Sequence, residues 1–179
     1  RSFGEGYQRV NRRFAETLAP LIAPGDLVWI HDYHLIPLAA ELRRLGVTNQ
    51  IGFFLHIPWP GRRLMTTLPQ HRELAESLLA YDLVGFQTRD ALEAFGDYVT
   101  RELDLSVQDG IIQAAGRRTR VGAFPIGIEA AAFADLARED AASQTFERVR
   151  LSQDGRKMIL GVDRLDYSKG LEERFLAYE

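Results

Sequence analysis

Cysteine is absent from the 179-residue chain, which excludes disulfide bonds and thiolate-ligated metal sites. This absence fits a reducing compartment, and we expect a cytoplasmic protein. Long apolar runs are also absent, since none approaches the roughly 20 residues needed to cross a bilayer, so we expect no membrane partner. The formal net charge of −3 gives no support to a nucleic-acid partner, which would require a concentrated basic face.

An initiator Met is missing as well. The chain begins with Arg1 and ends within a helical pattern, which suggests a piece of a longer protein. Its composition, with 46% hydrophobic residues, is ordinary for a globular protein of one or two domains with a sizeable core.

The hydrophobic pattern alternates between short apolar strands and amphipathic helices. Strands are predicted at 27–31, 51–57, 83–88 and 157–162. Helices are predicted at 5–22, 35–46, 61–81, 89–103, in an Ala-rich stretch to about residue 153, and at 170–179. Residues 106–125 carry an Asp-Gly turn signal and predict a hairpin or short meander that ends in a strand. This alternation predicts an α/β fold with a parallel sheet covered on both faces.

The polar composition of residues 151–156 predicts a domain junction. It separates residues 1–150 from residues 157–179.

Four polar segments follow predicted strands, where ligands bind in open parallel sheets. They are HDYH (31–34), HIPWPG (56–61), QTRD (87–90) and DRLDYSKG (163–170).

In the last segment, Arg164 and Lys169 lie close to the start of the next predicted helix. Two cations beside a helix N-terminus favour an anion such as a diphosphate. The alternative is that both cations pair with Asp163 and Asp166 on a solvated loop.

The segment that starts at His56 is stiffened by Pro58 and Pro60, and a stiff loop can hold an imidazole against a substrate. The alternative for His56 is a core histidine bonded to the backbone.

In HDYH, continued strand geometry would place His31 and Tyr33 on one side and Asp32 and His34 on the other. A metal site would then require a sharp turn, and no HExxH or carboxylate-rich segment completes one. Capping or packing roles for both histidines remain open, and Asp32 is the better candidate for binding hydroxyl groups.

Several segments together resemble the trehalose-6-phosphate synthase family of retaining glycosyltransferases. They are VWIHDYHLIPLAAELR, IGFFLHIPWP, YDLVGFQT, FPIGIE and VDRLDYSKGLEERFLAYE, which occur in the family's order over nearly the whole chain. The resemblance implies two Rossmann-like domains of the GT-B type, facing each other across a cleft. It implies UDP-glucose and glucose-6-phosphate as substrates, trehalose-6-phosphate and UDP as products, and no cofactor or metal. A homo-oligomer is possible.

On this resemblance, residues 1–150 are the later part of the acceptor-side domain. Residues 157–179 are the first strand and helix of the nucleotide-sugar domain. The family's N-terminal phosphate loop and later donor-binding residues are missing, so we expect the chain alone to be inactive.

The resemblance assigns roles to five residues. Asp32 resembles the carboxylate that binds acceptor hydroxyls, and His56 resembles the histidine against the donor glucose. Ile57 resembles a residue linked to anomer selectivity. Arg164 and Lys169 resemble the pair that holds the donor diphosphate. Asp32, His56, Arg164 and Lys169 are therefore the expected catalytic residues.

Three alternatives remain. A related transferase could use another acceptor, as glucosylglycerol-phosphate synthases and cyclitol-coupling enzymes do. The chain could belong to an inactive regulatory homologue, although the four polar residues are all present. A metal hydrolase built on HDYH is the third.

Overall fold

The computed structural model describes residues 3–178, which divide into two compact units, one ending at Gly127 and the other beginning at Ile128. Arg1 and Ser2, at the start of the predicted first domain, and Glu179, at the end of the last predicted helix, lie outside the described residues. The predicted junction at 151–156 lies inside the second unit, and a domain boundary there stays a prediction.

The first unit alternates helices and strands as the hydrophobic pattern predicts. Its helices are α1 (Phe3–Leu18), α2 (Leu38–Arg44), α3 (Arg62–Met65), α4 (His71–Leu78) and α5 (Arg89–Glu102). Its strands are β1 (Leu27–His31), β2 (Gln50–Leu55), β3 (Leu83–Phe86), β4 (Val107–Gln108), β5 (Ile111–Ala114) and β6 (Arg117–Ala123).

One six-stranded sheet has the order β1-β2-β3-β6-β5-β4. The first four strands in this order are parallel, and β5 and β4 complete the sheet as antiparallel neighbours. Asp109 and Gly110 both have positive φ, as a tight hairpin turn between β4 and β5 requires. The predicted α/β fold with a Rossmann-like parallel sheet and a hairpin is therefore confirmed.

Two predicted helices of the first unit are interrupted. In place of the helix predicted at 35–46, the chain forms a 3-10 turn at Tyr33–Leu35 and then α2, which starts directly after Pro37. Residues 61–81 form α3 and α4, with an interruption that contains Pro69. Proline lacks the N–H that a continuous helix needs, so both breaks have a local cause.

The hydrophobic core lies on one face of the sheet. Ile51, Phe53 and Leu55 alternate along β2 and are buried together with Val84 and Phe86 of β3. From the helical layer, α5 presents a buried stripe with three- and four-residue spacing. Its members are Ala91, Phe95, Tyr98 and Val99. The Thr88 hydroxyl accepts a hydrogen bond from the Ala91 N–H and so caps this helix.

The other face of the sheet carries aromatic rings over glycines. A Cβ on Gly52 would come within 2.2 Å of the Trp29 ring, and one on Gly85 within 2.8 Å of Phe54. A Cβ on Gly122 would meet the Phe124 ring at 2.9 Å. Glycine thus lets these rings lie directly on the sheet. Trp29 is 45% exposed and Phe124 is 50% exposed, so this face is not sealed as the core face is.

Asp82 directly precedes β3, at the amino-terminal ends of the parallel strands, and links β3 to β2 and β6. Its carboxylate accepts from the Ile51 N–H at 2.7 Å and pairs with Arg43 at 2.8 Å and Arg117 at 3.2 Å. Arg43 also donates to the carbonyls of Val47 and Asn49. Burial, followed by the nearby Arg117, lowers the pKa of Arg43 below its ordinary value.

The second unit contains α6 (Ala130–Ala141), α7 (Gln144–Ser152), a 3-10 turn at Tyr167–Lys169 and α8 (Leu171–Leu176). The Ala-rich helical stretch is confirmed as α6 and α7. The predicted strand at 157–162 is wrong, because residues 156–164 carry neither helix nor strand. A strand needs a ladder partner, and no described residue pairs with this segment. Its apolar side chains are accordingly exposed, with Ile159 at 86% and Val162 at 83%.

Between residues 3 and 178, no helix combines the length and the apolar character that crossing a bilayer demands.

Candidate functional site

The carboxyl ends of β1 and β2 meet at one edge of the first unit. The parallel register places His31 beside Phe54, so that His56 follows just beyond the end of β2. His31 Nδ1 and His56 Nε2 are 2.9 Å apart, within hydrogen-bond distance. Both histidines are exposed, so His56 is not the backbone-bonded core histidine that the sequence left open.

Asp32 terminates β1 with an unusual backbone conformation. Its φ of 69° and ψ of 165° lie in a region that only glycine adopts readily. The Asp32 N–H donates to the Phe54 carbonyl at 2.8 Å, which ties the turn to β2. The strand ends at His31, as predicted, and the chain then turns, so the alternation that continued strand geometry would impose on residues 31–34 does not occur.

The Asp32 carboxylate is half-buried and partly engaged. Its Oδ1 accepts a hydrogen bond from the Tyr33 N–H at 3.0 Å and caps the 3-10 turn. Among residues 3–178, the other oxygen, Oδ2, makes no hydrogen bond or ion pair. One carboxylate oxygen thus holds the turn while the second is available for a ligand.

Three side chains hold the three consecutive carbonyls of this turn. Tyr7 donates its hydroxyl proton to the Tyr33 carbonyl, and the Asn11 amide donates to the His34 carbonyl at 3.1 Å. The Tyr81 hydroxyl donates to the Leu35 carbonyl at 2.8 Å. Burial raises the pKa of Tyr7 to about 12. None of these three tethers is predicted from the sequence, because each is distant in sequence from the turn and no local signal marks it.

The loop after β2 has a buried anchor and an exposed tip. Trp59 is 4% exposed and packs edge to face on Phe95, with ring centroids 5.0 Å apart. Ile57, two residues earlier, is 45% exposed. The Trp59 anchor and the flanking Pro58 and Pro60 fix the loop from which His56 and Ile57 project.

Within the described part of the chain, no three His, Asp or Glu side chains are grouped in a way that could hold a metal ion.

Arg164 and Lys169 lie in the second unit and both are exposed. Asp163 pairs with Arg174 at 2.6 Å, and not with Arg164. Asp166 accepts a hydrogen bond from the Ser168 N–H at 2.9 Å. This bond, with a smaller contribution from the two cations, lowers the pKa of Asp166. In residues 3–178 neither Arg164 nor Lys169 forms a salt bridge. Direct pairing with Asp163 and Asp166, the alternative that the sequence left open, is therefore not observed.

Gly170 links this loop to α8. Its φ of 58° is in the left-handed region, which glycine adopts without strain. The chain turns there, and the helix begins at Leu171.

Comparison with known proteins gives one consistent answer. The profile of glycosyltransferase family 20 matches residues 1–179. A trehalose-6-phosphate synthase of Sinorhizobium fredii is 51% identical over 97% of this chain and 38% of its own length. A trehalose-6-phosphate synthase of Klebsiella pneumoniae is 47% identical over 98% of this chain and 37% of its own.

A crystal structure shows the same relationship in three dimensions. It is an α,α-trehalose-phosphate synthase (UDP-forming) from Burkholderia xenovorans in complex with glucose-6-phosphate, 46% identical, with a TM-score of 0.83. The match covers 97% of this chain and 40% of that one. The chain thus spans about two fifths of the length of the proteins it matches. Over its whole length, it belongs to glycosyltransferase family 20.

Proposed function

We propose that the longer protein carrying this chain is an α,α-trehalose-phosphate synthase. It transfers glucose from UDP-glucose to glucose-6-phosphate with retention of configuration, giving trehalose-6-phosphate and UDP without a metal. The observation that carries this proposal is the 51% identity over 97% of the chain to a trehalose-6-phosphate synthase. Asp32, His56, Arg164 and Lys169 all occur in the matching segments.

Asp32 binds the acceptor in this proposal. A carboxylate can accept hydrogen bonds from two sugar hydroxyls, and Oδ2 is available among the described residues. The backbone of Asp32 is tied to β2 through the Phe54 carbonyl, and the turn behind it is held by Tyr7, Asn11 and Tyr81. Such a fixed carboxylate can hold the attacking hydroxyl near the anomeric carbon, which lowers the barrier by positioning.

His56 and Ile57 meet the donor glucose in this proposal. Both side chains are exposed on a loop that Trp59 anchors by packing on Phe95. An imidazole can hydrogen-bond a sugar hydroxyl, and Ile57 supplies an apolar contact beside it. The assignment of anomer selectivity to Ile57 rests on the resemblance to the family, and its 45% exposure leaves the side chain accessible to a ligand.

Arg164 and Lys169 hold the diphosphate. Breaking the bond between C1 of glucose and the phosphate oxygen leaves the electron pair, and thus negative charge, on UDP. Two cations beside the diphosphate can stabilise that charge in the transition state. Neither is engaged in a salt bridge with another described residue, which supports this role. The acceptor hydroxyl oxygen forms the new bond to C1 on the face that UDP leaves, through an oxocarbenium-like state, and its proton passes to the departing phosphate oxygen.

A product assay tests the proposal. The purified full-length protein is incubated with UDP-glucose and one acceptor at a time: glucose-6-phosphate, glycerol-3-phosphate or a cyclitol. We expect trehalose-6-phosphate as the main product, undiminished by EDTA, and no product from the 179-residue chain alone. Transfer to another acceptor, or a loss with EDTA that added metal restores, would contradict the proposal. Cytoplasmic location and homo-oligomerisation stay predictions, which fractionation and light scattering can check.

A further inference from the structure

His31 and His56 meet edge to edge. Their rings are inclined by only 26°, and their centroids are 5.2 Å apart, although two ring nitrogens are separated by 2.9 Å. Two rings stacked face to face would not place single nitrogens in such close contact at that centroid separation. The pair is therefore a nearly coplanar hydrogen bond between two imidazoles.

Aromatic side chains of both β1 and β2 contact the His31 ring. Trp29 meets it edge-on with centroids 5.5 Å apart, and Trp29 lies on the bare backbone of Gly52. Phe54 lies 6.5 Å from His31 and 4.8 Å from His56, again between ring centroids. The two histidines thus end a row of aromatic rings that runs along the β1–β2 pair.

The hydrogen bond restricts what His56 can do. A neutral imidazole has one N–H donor and one acceptor nitrogen, so one ring of the pair donates and the other accepts. Nε2 of His56 is occupied by His31, which leaves Nδ1 as the nitrogen available to a ligand. The bond at one nitrogen also sets the tautomer, and so decides whether the other donates or accepts.

We propose that His31 is a positioning residue that fixes the ring orientation and tautomer of His56. This inference rests on the proposed function, in which His56 contacts the donor glucose through its remaining nitrogen. His31 acts on the transfer through His56 and makes no contact with the reacting atoms.

Three substitutions at His31 in the full-length protein separate this role from simple packing. His31→Asn keeps an amide close to the position of Nδ1, His31→Gln moves the amide to the position of Nε2, and His31→Leu removes the polar group. We expect Asn to retain most of kcat, whereas Gln and Leu lower it by up to about 10²-fold, the cost of a misplacement of about 1 Å. His34→Gln is the matched control, since His34 stacks on Tyr33 and has no contact with His56.

A double-mutant cycle adds a second readout. If His31 acts through His56, then His31→Leu costs little further activity in a His56→Ala background. A purely structural contribution of His31 would lower kcat or stability to the same extent in both backgrounds.

Nuclear magnetic resonance of the ¹⁵N-histidine-labelled protein gives a readout that needs no activity. We expect the His56 ring nitrogens to show two well-separated shifts, the signature of a single neutral tautomer. His31→Leu should bring them towards the averaged values of a freely exchanging ring, and His31→Asn should not.

Equal losses in kcat for all three variants, additive losses in the cycle, or His56 shifts unaffected by His31→Leu would each overturn the inference. A wild-type protein that forms no trehalose-6-phosphate would instead defeat the proposed function, and the resonance experiment would still decide the role of His31.

Discussion

Asp32 and Tyr33 are joined by a hydrogen bond from the Tyr33 N–H to Asp32 Oδ1, 3.0 Å long. The bond holds Asp32 in a backbone conformation, φ 69° and ψ 165°, that costs a non-glycine residue about 1–3 kcal/mol. The turn that ends β1 thus stores strain at the residue that we propose as the acceptor-binding carboxylate.

Replacing Asp32 by glycine or alanine separates strain from function. Both substitutions remove the cap on Tyr33, but only glycine relieves the backbone. We expect Asp32→Gly to be more stable than Asp32→Ala by about 1–3 kcal/mol, and both to lose acceptor use. Denaturant unfolding of the full-length variants measures this difference. Equal stabilities would show that the turn is unstrained.

We expect the Tyr7 hydroxyl to lower the stability of the folded protein at alkaline pH. Its pKa is raised to about 12 by burial, whereas the unfolded chain releases the proton near 10. The unfolded state then binds fewer protons between these values, so stability is full below pH 10 and falls towards pH 12. We expect Tyr7→Phe to flatten this loss in unfolding experiments at several pH values.

Tyr178→Phe is the control for that experiment, since Tyr178 is 86% exposed. An alkaline profile of Tyr7→Phe identical to that of the wild type would rule out Tyr7 as the source of the loss.

Arg43 stabilises the fold at the end of the sheet opposite to the candidate functional site. Its guanidinium binds Asp82 and the carbonyls of Val47 and Asn49, and its side chain is 13% exposed. Arg43→Met should lower the free energy of unfolding by about 2 kcal/mol, because its half-buried acceptors lose a charged partner. Arg101→Met, at an exposed i,i+4 pair with Asp97, should cost no more than about 0.5 kcal/mol. Similar losses for both would show that the Asp82 network contributes no more than a surface pair.

The sequence predicts best where a local pattern decides the structure. The strand over 27–31 matches β1 residue for residue. The Asp109-Gly110 turn signal correctly marks the hairpin between β4 and β5. The strand over 157–162 fails, because a strand depends on partners that a local pattern does not contain. His56 and Asp32 could be selected as candidates from their positions after strands. Their contacts with His31 and Phe54 could not, because these depend on strand register.

In the proposed function, Arg164 and Lys169 stabilise the negative charge on the departing UDP without a metal ion. In the full-length protein, Arg164→Ala or Lys169→Ala should lower kcat about 10²- to 10³-fold, as removal of one preorganised charge stabiliser does. UDP affinity should also weaken, since each charge-assisted bond contributes roughly 1.5–3 kcal/mol. Arg156→Ala is a control outside the 163–170 segment. A kcat within about twofold of wild type for Lys169→Ala would remove this residue from the diphosphate site.

Titration calorimetry of full-length Asp32→Asn tests the central assignment most directly. A neutral amide keeps the size of the side chain but loses the charge that strengthens bonds from sugar hydroxyls. We expect near-normal affinity for UDP and an affinity for glucose-6-phosphate that is lower by about 10- to 100-fold, equivalent to roughly 1.5–3 kcal/mol. Loss of UDP binding with unchanged glucose-6-phosphate binding would contradict this assignment, and would move the HDYH turn from the acceptor to the donor.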